Sequence, residues 1–512
     1  MSSDRTAQEP LRGPSKTGDN LFLIALPTCA LVALLGLVYP EALAKGAGAI
    51  LTAAFRALDW FFLGLVTGLL VLALWLALSR FGRLKLGRPN ERPEFSTLSW
   101  LAMLFAAGMG VGLLFWGVAE PLAHLTGAPG HEPGSAAAAR QAMLVSVFHW
   151  GLHAWAVYGV AALVLAFFGF RHGTPYLPGS PIRKAMSGKW VMPVAWLADF
   201  LATVAVALGV AGSIGLGVFQ MQSGLYVLAG VSLESTFAPI AILLVLVLCY
   251  LPPLATDLGK GVKWLSNANM IVALVVLFYI LFAGPTSFLL RTFETTLGDY
   301  VTGVVDLSFQ LFPFADVGPW LKNWTFTYWL WWIAWAPFVG VFIARISRGR
   351  TIREFVAGVV FVPALFSVLW FSIFGGTALY EELHGMGGIG RLVRENISIA
   401  LFSLFDQLPL SGLLNGTALI LSFIFLVTSV VSAAYVLGMF TSRGSLNPST
   451  GQKLAWGVAL GGLGAALTFS GNVEAVRTIA FIGALPFALI LLLQVAALLR
   501  VIIYEPLDEG ES

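Results

Sequence analysis

The feature that most constrains this chain is a series of uncharged apolar runs that recurs along its whole length. Each run is roughly 20 residues long, which as a helix crosses the ~30 Å hydrocarbon core of a bilayer. Lipid offers the backbone no hydrogen bonds, so a spanning segment must be a helix or part of a closed barrel. Long unbroken runs, in place of ten-residue alternations, favour helices. We therefore predict an all-α integral membrane protein.

Composition argues against the other broad classes. The chain of 512 residues is 58% hydrophobic and 11% charged, whereas about a quarter of the residues in soluble proteins are charged. A membrane-embedded enzyme would need clustered His, Asp or Cys residues, and the six histidines are scattered. No nucleotide-binding loop is present. We expect no enzymatic activity, no enzymatic cofactor and no nucleic-acid partner.

The apolar runs predict twelve transmembrane spans, near residues 21–40, 59–79, 97–118, 139–169, 191–220, 236–252, 264–285, 324–345, 354–379, 413–440, 453–471 and 475–500. With the N-terminus in the cytoplasm, 21 of the 29 Lys and Arg residues fall on the cytoplasmic side. Such an excess of basic residues in cytoplasmic loops is the usual rule. We therefore expect both termini to be cytoplasmic.

The two long outer connections, 286–323 and 380–412, have an amphipathic pattern that predicts helices lying along the outer face, with ordinary loops as the alternative. The predicted divisions are a cytoplasmic tail (1–20), two peripheral helices (21–92), a first five-helix unit (93–285), an outer amphipathic connection (286–323), a second five-helix unit (324–500) and a short cytoplasmic tail (501–512).

The stretch YWLWWIAWAPF gathers four tryptophans, Trp329, Trp331, Trp332 and Trp335. Membrane proteins usually place tryptophan at the lipid–water boundary. Arg345 is expected at the cytoplasmic end of this span, and Trp332 lies about 20 Å from it at 1.5 Å per residue. The cluster is therefore predicted near the middle of the bilayer, where interface anchoring does not explain it.

A second aromatic cluster occurs in FHWGLHAWAVYG, which contains Trp150, Trp155 and Tyr158. On a continuous helix at 100° per residue, Trp155 and Tyr158 point about 60° apart, and Trp150 lies about 80° beyond Tyr158. Three rings on one side of a helix can form the walls of a box whose π-faces attract a methylated cation. Packing is the alternative for either cluster alone, and the presence of both favours a binding site.

The stretch LFAAGMGVGLLFWG places Gly108, Gly110 and Gly112 in the middle of a span. Each glycine costs a helix about 1 kcal/mol relative to alanine. Close helix packing is one explanation, but three glycines in five residues favour an unwound segment with free carbonyls, as in inverted-repeat transporters. Pro337 predicts an equivalent break in the span 324–345. Counted from the glycine span, the chain has two units of five spans.

Three segments in the expected order, AAGMGVG, HWGLHAWAVYG and WTFTYWLWWIAWAPFVGVFIARISRGRTIREF, resemble the signature of the betaine/carnitine/choline transporter family. The resemblance implies a leucine-transporter-like fold of two inverted five-helix repeats, spans 3–7 and 8–12, after two extra helices. It also implies a bacterial inner (plasma) membrane location and frequent assembly as a trimer. Members carry quaternary ammonium or sulfonium solutes by alternating access. A channel or solute sensor on the same scaffold is the alternative.

Carried over residue by residue, the resemblance implies an aromatic cage formed by Trp150, Trp155, Tyr158 and Trp332, with Trp335 on the path just below it. Met109, Gly110 and Gly112 of the glycine motif are expected to belong to the same substrate site. Trp329 and Trp331 are then expected to pack or to line an outer path. Glycine at position 112 favours a zwitterion such as glycine betaine, carnitine or dimethylsulfoniopropionate over choline.

The resemblance also implies one sodium site, formed by Ala106, Met109, Phe425, Thr428 and Ser429. The alternative for the two hydroxyls is hydrogen bonding to carbonyls of their own helix. Valine at positions 206 and 210 argues against a second site, since valine cannot ligate sodium. A proton-coupled carrier and a cation-independent exchanger both stay open.

Charged residues outside these motifs are expected to be structural. Arg345, Arg348 and Arg350 form a basic cytoplasmic loop, with an inner gate or contact with anionic membrane lipids as the functional alternative. His149 is expected to be a hydrogen-bonded core residue, with a proton relay as the alternative. Glu120 is expected to be structural, near the end of its span.

Overall fold

The computed structural model describes residues 20–108, 110–256, 259–315 and 317–506, and within this part the ordered structure is helical with no strand. The helices of the first half are α1 (Leu21–Val38), α2 (Pro40–Leu78), α3 (Thr97–Gly108), α4 (Val111–Gly127), α5 (Ala136–Trp150), α6 (Leu152–His172), α7 (Ser180–Ala185), α8 (Val191–Ala229), α9 (Phe237–Ala255) and α10 (Gly259–Ala283).

The second half begins with a helix along the predicted amphipathic connection, and a turn of π-helix at Lys322–Phe326 leads into the tryptophan-rich helix. The helices are α11 (Thr286–Ser308), α12 (Gly318–Leu321), α13 (Thr327–Ile346), α14 (Ile352–Val356), α15 (Val362–His384), α16 (Ile389–Glu395), α17 (Ala400–Asp406), α18 (Ser411–Thr441), α19 (Thr450–Thr468), α20 (Val473–Phe481) and α21 (Ala484–Ile502).

Ten helical segments of the described chain are long and apolar enough to cross a membrane. Two of the twelve predicted spans, 97–118 and 453–471, are not among them. The first is divided between α3, of 12 residues, and α4, of 17 residues, whereas a spanning helix has about 20. The second is α19, whose 19 residues include five glycines. The multi-span helical architecture is therefore present, and the count of twelve stays a prediction.

The glycine motif interrupts its helix as predicted. α3 ends at Gly108 and α4 begins at Val111, and between them Gly110 has an extended backbone with φ −139° and ψ −178°. Met109 lies outside the described residues. The break gives this region backbone groups without helical partners.

The prediction of a continuous helix through the second aromatic cluster is wrong. The helix breaks at Gly151, with φ −95° and ψ −137°. A Cβ atom there would lie 2.6 Å from the Val147 carbonyl oxygen and 2.8 Å from Cζ of Tyr300. Tyr300, on α11, accepts a hydrogen bond from the freed N–H of Leu152 at 2.8 Å. The break therefore comes from a tyrosine distant in sequence.

The prediction of a break at Pro337 is also wrong, because α13 runs without interruption from Thr327 to Ile346. A proline removes one backbone donor, and tight packing in a transmembrane bundle can compensate for that loss. α13 packs closely on α6, where a Cβ at Gly340 would lie 3.3 Å from the backbone nitrogen of Ala162. The tryptophans therefore stand on one regular helix.

The predicted last span, 475–500, divides into α20 and α21. Gly483 lies at the division, and a Cβ there would lie 3.2 Å from Cα of Ala205 on α8. The centre of the protein consists of α4, α6, α8 and α13, whose residues are mostly buried, while α1, α9 and α10 expose many apolar residues on the outside.

Candidate functional site

Two aromatic clusters far apart in sequence meet at the centre of the protein. Trp150, the last residue of α5, lies 4.9 Å from Trp332 on α13 between ring centroids, with the ring planes at 78°. Tyr158 on α6 lies 5.7 Å from Trp332 at 84°. Trp155 lies 5.8 Å from Tyr158 at 82°. Near-perpendicular rings of this kind form the corner of a box, and we call these four residues the cage.

Trp331, expected from the sequence to pack or to line an outer path, adds a wall beside the cage. Its ring is nearly parallel to that of Trp332, at 9° with centroids 5.8 Å apart, and lies 6.0 Å from Trp150. Trp329, in contrast, is fully buried and stacks on His153 at 5.5 Å. Of these two tryptophans, only Trp331 reaches the cavity described next.

A cavity of about 640 Å³ extends from the cage to the protein surface. Trp150, Tyr158, Trp331 and Trp332 line its inner end, and Trp335 and Phe338 lie further along it; Trp155 contacts Tyr158 but is not part of the lining. Exposed Glu94 and Arg345 lie at the outer end. The cage is therefore open to the surface on the side of Glu94 and Arg345.

Gly110 and Gly112, at the α3–α4 break, also line this cavity. A Cβ at Gly112 would lie 3.2 Å from Cη2 of Trp150 and 3.5 Å from Cη2 of Trp331. At Gly110 no atom lies within 4 Å of such a Cβ. Any side chain at position 112 would therefore press on the cage, whereas position 110 has open space.

The residues predicted to bind sodium are brought together only in part. Phe425, Thr428 and Ser429 of α18 line the cavity. The Thr428 hydroxyl donates to the carbonyls of Ile424 at 3.0 Å and Phe425 at 3.2 Å, which is the alternative that the sequence left open for it.

The other two predicted ligands, Ala106 and Met109, belong to the glycine motif. Ala106 lies in the last turn of α3, and Met109 lies outside the described residues.

The predicted basic loop follows α13 and is fixed to the segment before α3. Arg348 forms an ion pair with Glu91 at 2.6 Å. Arg350 donates to the carbonyl of Phe95 at 2.8 Å and lies 4.7 Å from the ring centroid of Trp100.

Backbone hydrogen bonds reinforce this attachment. Leu86 N–H donates to the Arg350 carbonyl and Gly349 N–H donates to the Leu86 carbonyl, both at 2.8 Å. Gly349 has φ +80°, a conformation suited to glycine. Of the three arginines, Arg345 lies at the cavity mouth, and Arg348 and Arg350 connect the end of α13 to the segment before α3.

Sequence reasoning missed a buried polar network centred on Glu120 of α4. One carboxylate oxygen, Oε2, accepts hydrogen bonds from the Trp150 indole at 2.9 Å and from the Tyr328 hydroxyl at 2.5 Å. The other, Oε1, lies 2.6 Å from Nδ1 of His149 and 3.3 Å from Nε2 of His124. Both histidines and Glu120 are fully buried.

The network reaches two walls of the cage. His149 Nε2 lies 3.0 Å from the Thr325 hydroxyl, and the His149 carbonyl accepts from the Trp332 indole at 2.9 Å. A signal was present in the sequence, because an acidic residue in an apolar run is costly and usually functional. Glu120 and His124 also lie four residues apart, on one helix face.

Within the part of the chain that the structure describes, one group of three side chains has the spacing of a metal site. Its members are Glu120, His124 and His149, whose ligand atoms lie within 4.8 Å of one another. Hydrogen bonds already account for these contacts, and Trp150 and Tyr328 occupy the second carboxylate oxygen. We therefore describe the group as a hydrogen-bond network.

A second aromatic box lies on the far side of Tyr328 and holds a cation of the protein itself. The Arg477 guanidinium lies 4.9 Å from the ring centroid of Trp116, 5.3 Å from Trp324 and 5.6 Å from Tyr328. It also donates to the Asn323 carbonyl at 2.8 Å. The aromatic faces of this region therefore hold a delocalised cation away from bulk water.

Comparison with known proteins identifies sequence relatives along nearly the whole chain. The family described as "BCCT, betaine/carnitine/choline family transporter" matches residues 20–506. The chain is 40% identical over 484 residues to the glycine betaine transporter OpuD of Bacillus subtilis (strain 168), covering 94% of this chain and 93% of that protein.

Two further relatives are similarly close. The ectoine/hydroxyectoine transporter of Virgibacillus pantothenticus is 42% identical over 455 residues, which cover 88% of this chain and 89% of that protein. The glycine betaine transporter of Acinetobacter baylyi (strain ATCC 33305 / BD413 / ADP1) is 36% identical over 488 residues, which cover 94% of this chain and 74% of that protein. All three of these relatives are named as transporters.

Proposed function

Because the chain belongs to the betaine/carnitine/choline transporter family, we propose that it carries zwitterionic onium solutes across the membrane by alternating access, with the cage as their binding site. The protein is a multi-pass helical membrane transporter and not an enzyme. The observation that carries the proposal is the meeting of Trp150, Tyr158 and Trp332 at the closed end of a cavity.

The chemistry of the cage suits a methylated cation. Such a cation has no N–H groups and gives up little hydration on entering an aromatic site, and each ring face contributes about 0.5–2 kcal/mol. Neutral rings also hold the cation less tightly than a buried carboxylate would, which favours release on the other side. Trp331, parallel to Trp332, provides a further face beside the cage.

The proposed substrates are zwitterions, chiefly methylated onium compounds such as glycine betaine. Ectoine is included as a zwitterion whose positive charge lies on a cyclic amidinium that does carry N–H groups. Relatives at 40% and 42% identity are named for glycine betaine and for ectoine or hydroxyectoine. Glycine at position 112 places no acidic side chain on the cavity side of the cage to balance a plain cation. Carnitine and dimethylsulfoniopropionate fit the same description, and choline is expected to be the poorest substrate of the set.

Sodium is the proposed driving ion, bound at one site by Thr428 and Ser429 together with backbone carbonyls of the α3–α4 break. Hydroxyl and carbonyl oxygens are hard ligands suited to a small alkali cation, and Thr428 and Ser429 line the same cavity as Gly110 and Gly112 of the break. The alternative is a proton-coupled carrier or a cation-independent exchanger. The hydrogen bonds of Thr428 within its own helix favour that alternative.

The proposal includes the arrangement in the membrane. Twelve spans follow from the apolar runs, and cytoplasmic termini follow from the distribution of Lys and Arg. Two inverted five-helix units, a bacterial inner-membrane location and a homotrimer follow from the resemblance. The cavity mouth at Arg345 then faces the cytoplasm, so the structure is an inward-facing state. Labelling of single cysteines introduced near Glu94 from each side of sealed vesicles tests this orientation.

Uptake into proteoliposomes tests the function and its coupling together. Labelled glycine betaine, ectoine, carnitine, choline and dimethylsulfoniopropionate are supplied with a sodium gradient, a proton gradient, no gradient, or preloaded counter-substrate. We expect sodium-driven accumulation of the zwitterions. Uptake by the wild-type protein that does not depend on sodium would refute the proposed sodium site. Absence of uptake of all of these solutes would refute the proposed substrate class.

A further inference from the structure

Glu120 lies outside the cavity, yet one of its carboxylate oxygens accepts the indole proton of a cage residue. Oε2 is 2.9 Å from Nε1 of Trp150, and Trp150 itself lines the cavity. Because an indole N–H can only donate, the direction of this hydrogen bond is fixed. The carboxylate therefore sets the rotation of the ring whose other edge lies against Gly112.

The acceptor is unusual among the tryptophans of this protein. Trp332 and Trp370 donate to backbone carbonyls, at 2.9 and 3.1 Å, and Trp456 donates to a hydroxyl at 3.0 Å. Among the described tryptophans with a hydrogen-bonded indole, Trp150 alone donates to a carboxylate. A merely structural bond would be equally well served by a carbonyl, as it is for Trp332.

A charged acceptor also changes the ring electronically. Hydrogen bonds to an ionised acceptor are roughly twice as strong as neutral ones, and bonds in a low-dielectric interior polarise one another. An indole whose proton is drawn toward a carboxylate carries more electron density on its ring. Its face therefore attracts a cation more strongly, since that attraction is electrostatic.

We propose that Glu120 is a positioning residue of the cage, which strengthens binding of the onium group through the indole of Trp150. The inference rests on the proposed function, because it concerns the same site. It adds a residue that does not touch the solute. Tyr328, which donates to the same oxygen and lies between the two aromatic boxes, is held by the same carboxylate.

The test compares an onium group with an uncharged carbon group of the same shape. Glycine betaine and 3,3-dimethylbutanoate have the same shape and the same carboxylate, but a carbon replaces the positive nitrogen in the second. In the variant Glu120→Gln, an amide oxygen still accepts from Trp150 while the charge is removed. Measured by isothermal titration calorimetry, glycine betaine should bind about fivefold to tenfold more weakly to this variant. Binding of the isostere should stay within about twofold of wild type.

A second variant leaves Glu120 in place and removes only the donor. Replacing Trp150 by 3-benzothienylalanine substitutes sulfur for the N–H group and keeps the fused ring. The same selective loss for glycine betaine is expected. Glu120→Gln added to this protein should then weaken binding by less than about twofold, because the route through the indole is already lost. This variant keeps the test valid if Glu120→Gln does not fold.

A matched control is Asp199→Asn, which neutralises another buried carboxylate, one that accepts from Gly179 N–H at 2.7 Å and pairs with Arg183. It should leave the ratio of the two affinities unchanged.

Several outcomes would overturn the inference. Equal weakening of both ligands in Glu120→Gln would refute it, as would a preference for glycine betaine that this substitution leaves undiminished. An effect of Glu120→Gln in the benzothienyl protein as large as its effect in wild type would also refute it. Wild-type protein that binds neither ligand, or both equally, would instead refute the proposed function.

Discussion

The two aromatic boxes differ in what occupies them. The box of Trp116, Trp324 and Tyr328 is filled by the guanidinium of Arg477, whereas the cage around Trp150 and Trp332 opens to a cavity. Tyr328 lies between them, with its ring 6.1 Å from that of Trp332. Similar faces thus serve two purposes, one satisfied within the fold and one left for a solute. In this protein, access from the cavity, more than ring chemistry, separates the structural box from the binding site.

The largest expected effect separates cage from packing on a single helix. Trp332→Leu removes a π-face and a wall of the cage, so the affinity for glycine betaine should fall by at least about 30-fold. Because Trp332 is also buried, the loss of stability should be comparable to that of the control, and affinity is the quantity that separates the two variants. Trp329→Leu, three residues earlier on α13, is the matched control. Trp329 is fully buried, so its loss should destabilise the protein by about 2–4 kcal/mol and leave affinity within about twofold. Calorimetric binding and thermal unfolding in detergent measure both quantities. A loss of affinity in Trp329→Leu with unchanged affinity in Trp332→Leu would contradict the assignment of the two rings.

The filled box should respond in the opposite sense. Arg477→Gln removes a cation that contacts three rings, and the free energy of unfolding should fall by about 1–3 kcal/mol. Affinity for glycine betaine should change by less than about threefold, because Arg477 does not line the cavity. A loss of affinity exceeding that of Trp332→Leu would mean that the solute uses both boxes.

The smallest expected effect concerns the space between the break and the cage. Gly112→Ala places a methyl group 3.2 Å from Trp150 and should weaken glycine betaine binding by about threefold to tenfold. Gly110→Ala, where a Cβ meets no atom within 4 Å, should change affinity by less than about twofold. Equal effects of the two substitutions would show that the break itself, and not the contact with the ring, controls the site.

Sequence patterns predicted the features that depend on local composition. Three glycines in five residues predicted the break at Gly110, and apolar runs predicted the helical membrane architecture. The break at Gly151 was missed because its cause is Tyr300, which is distant in sequence and enters from α11. Pro337 was misread because helix packing against α6, invisible in sequence, accommodates the proline.

The candidate site shows the same limit. The residue types of the cage pointed to cation binding, but the role of Trp331 depends on how α13 is rotated against α5. The Glu120 network joins α4, α5 and α13, so no local pattern contains it. An acidic residue in an apolar run was the available signal, and its partners could be found only in three dimensions.

Fluorinated tryptophans at position 332 measure whether the ring face of Trp332 holds the onium cation. Each added fluorine withdraws electron density from the ring face with little change in size, so a cation held by that face should bind progressively more weakly. We predict that the logarithm of the glycine betaine affinity falls steadily from tryptophan through its mono-, di- and trifluorinated forms. An affinity that stays constant across this series would show that Trp332 holds no cation, and the account of the cage would be wrong.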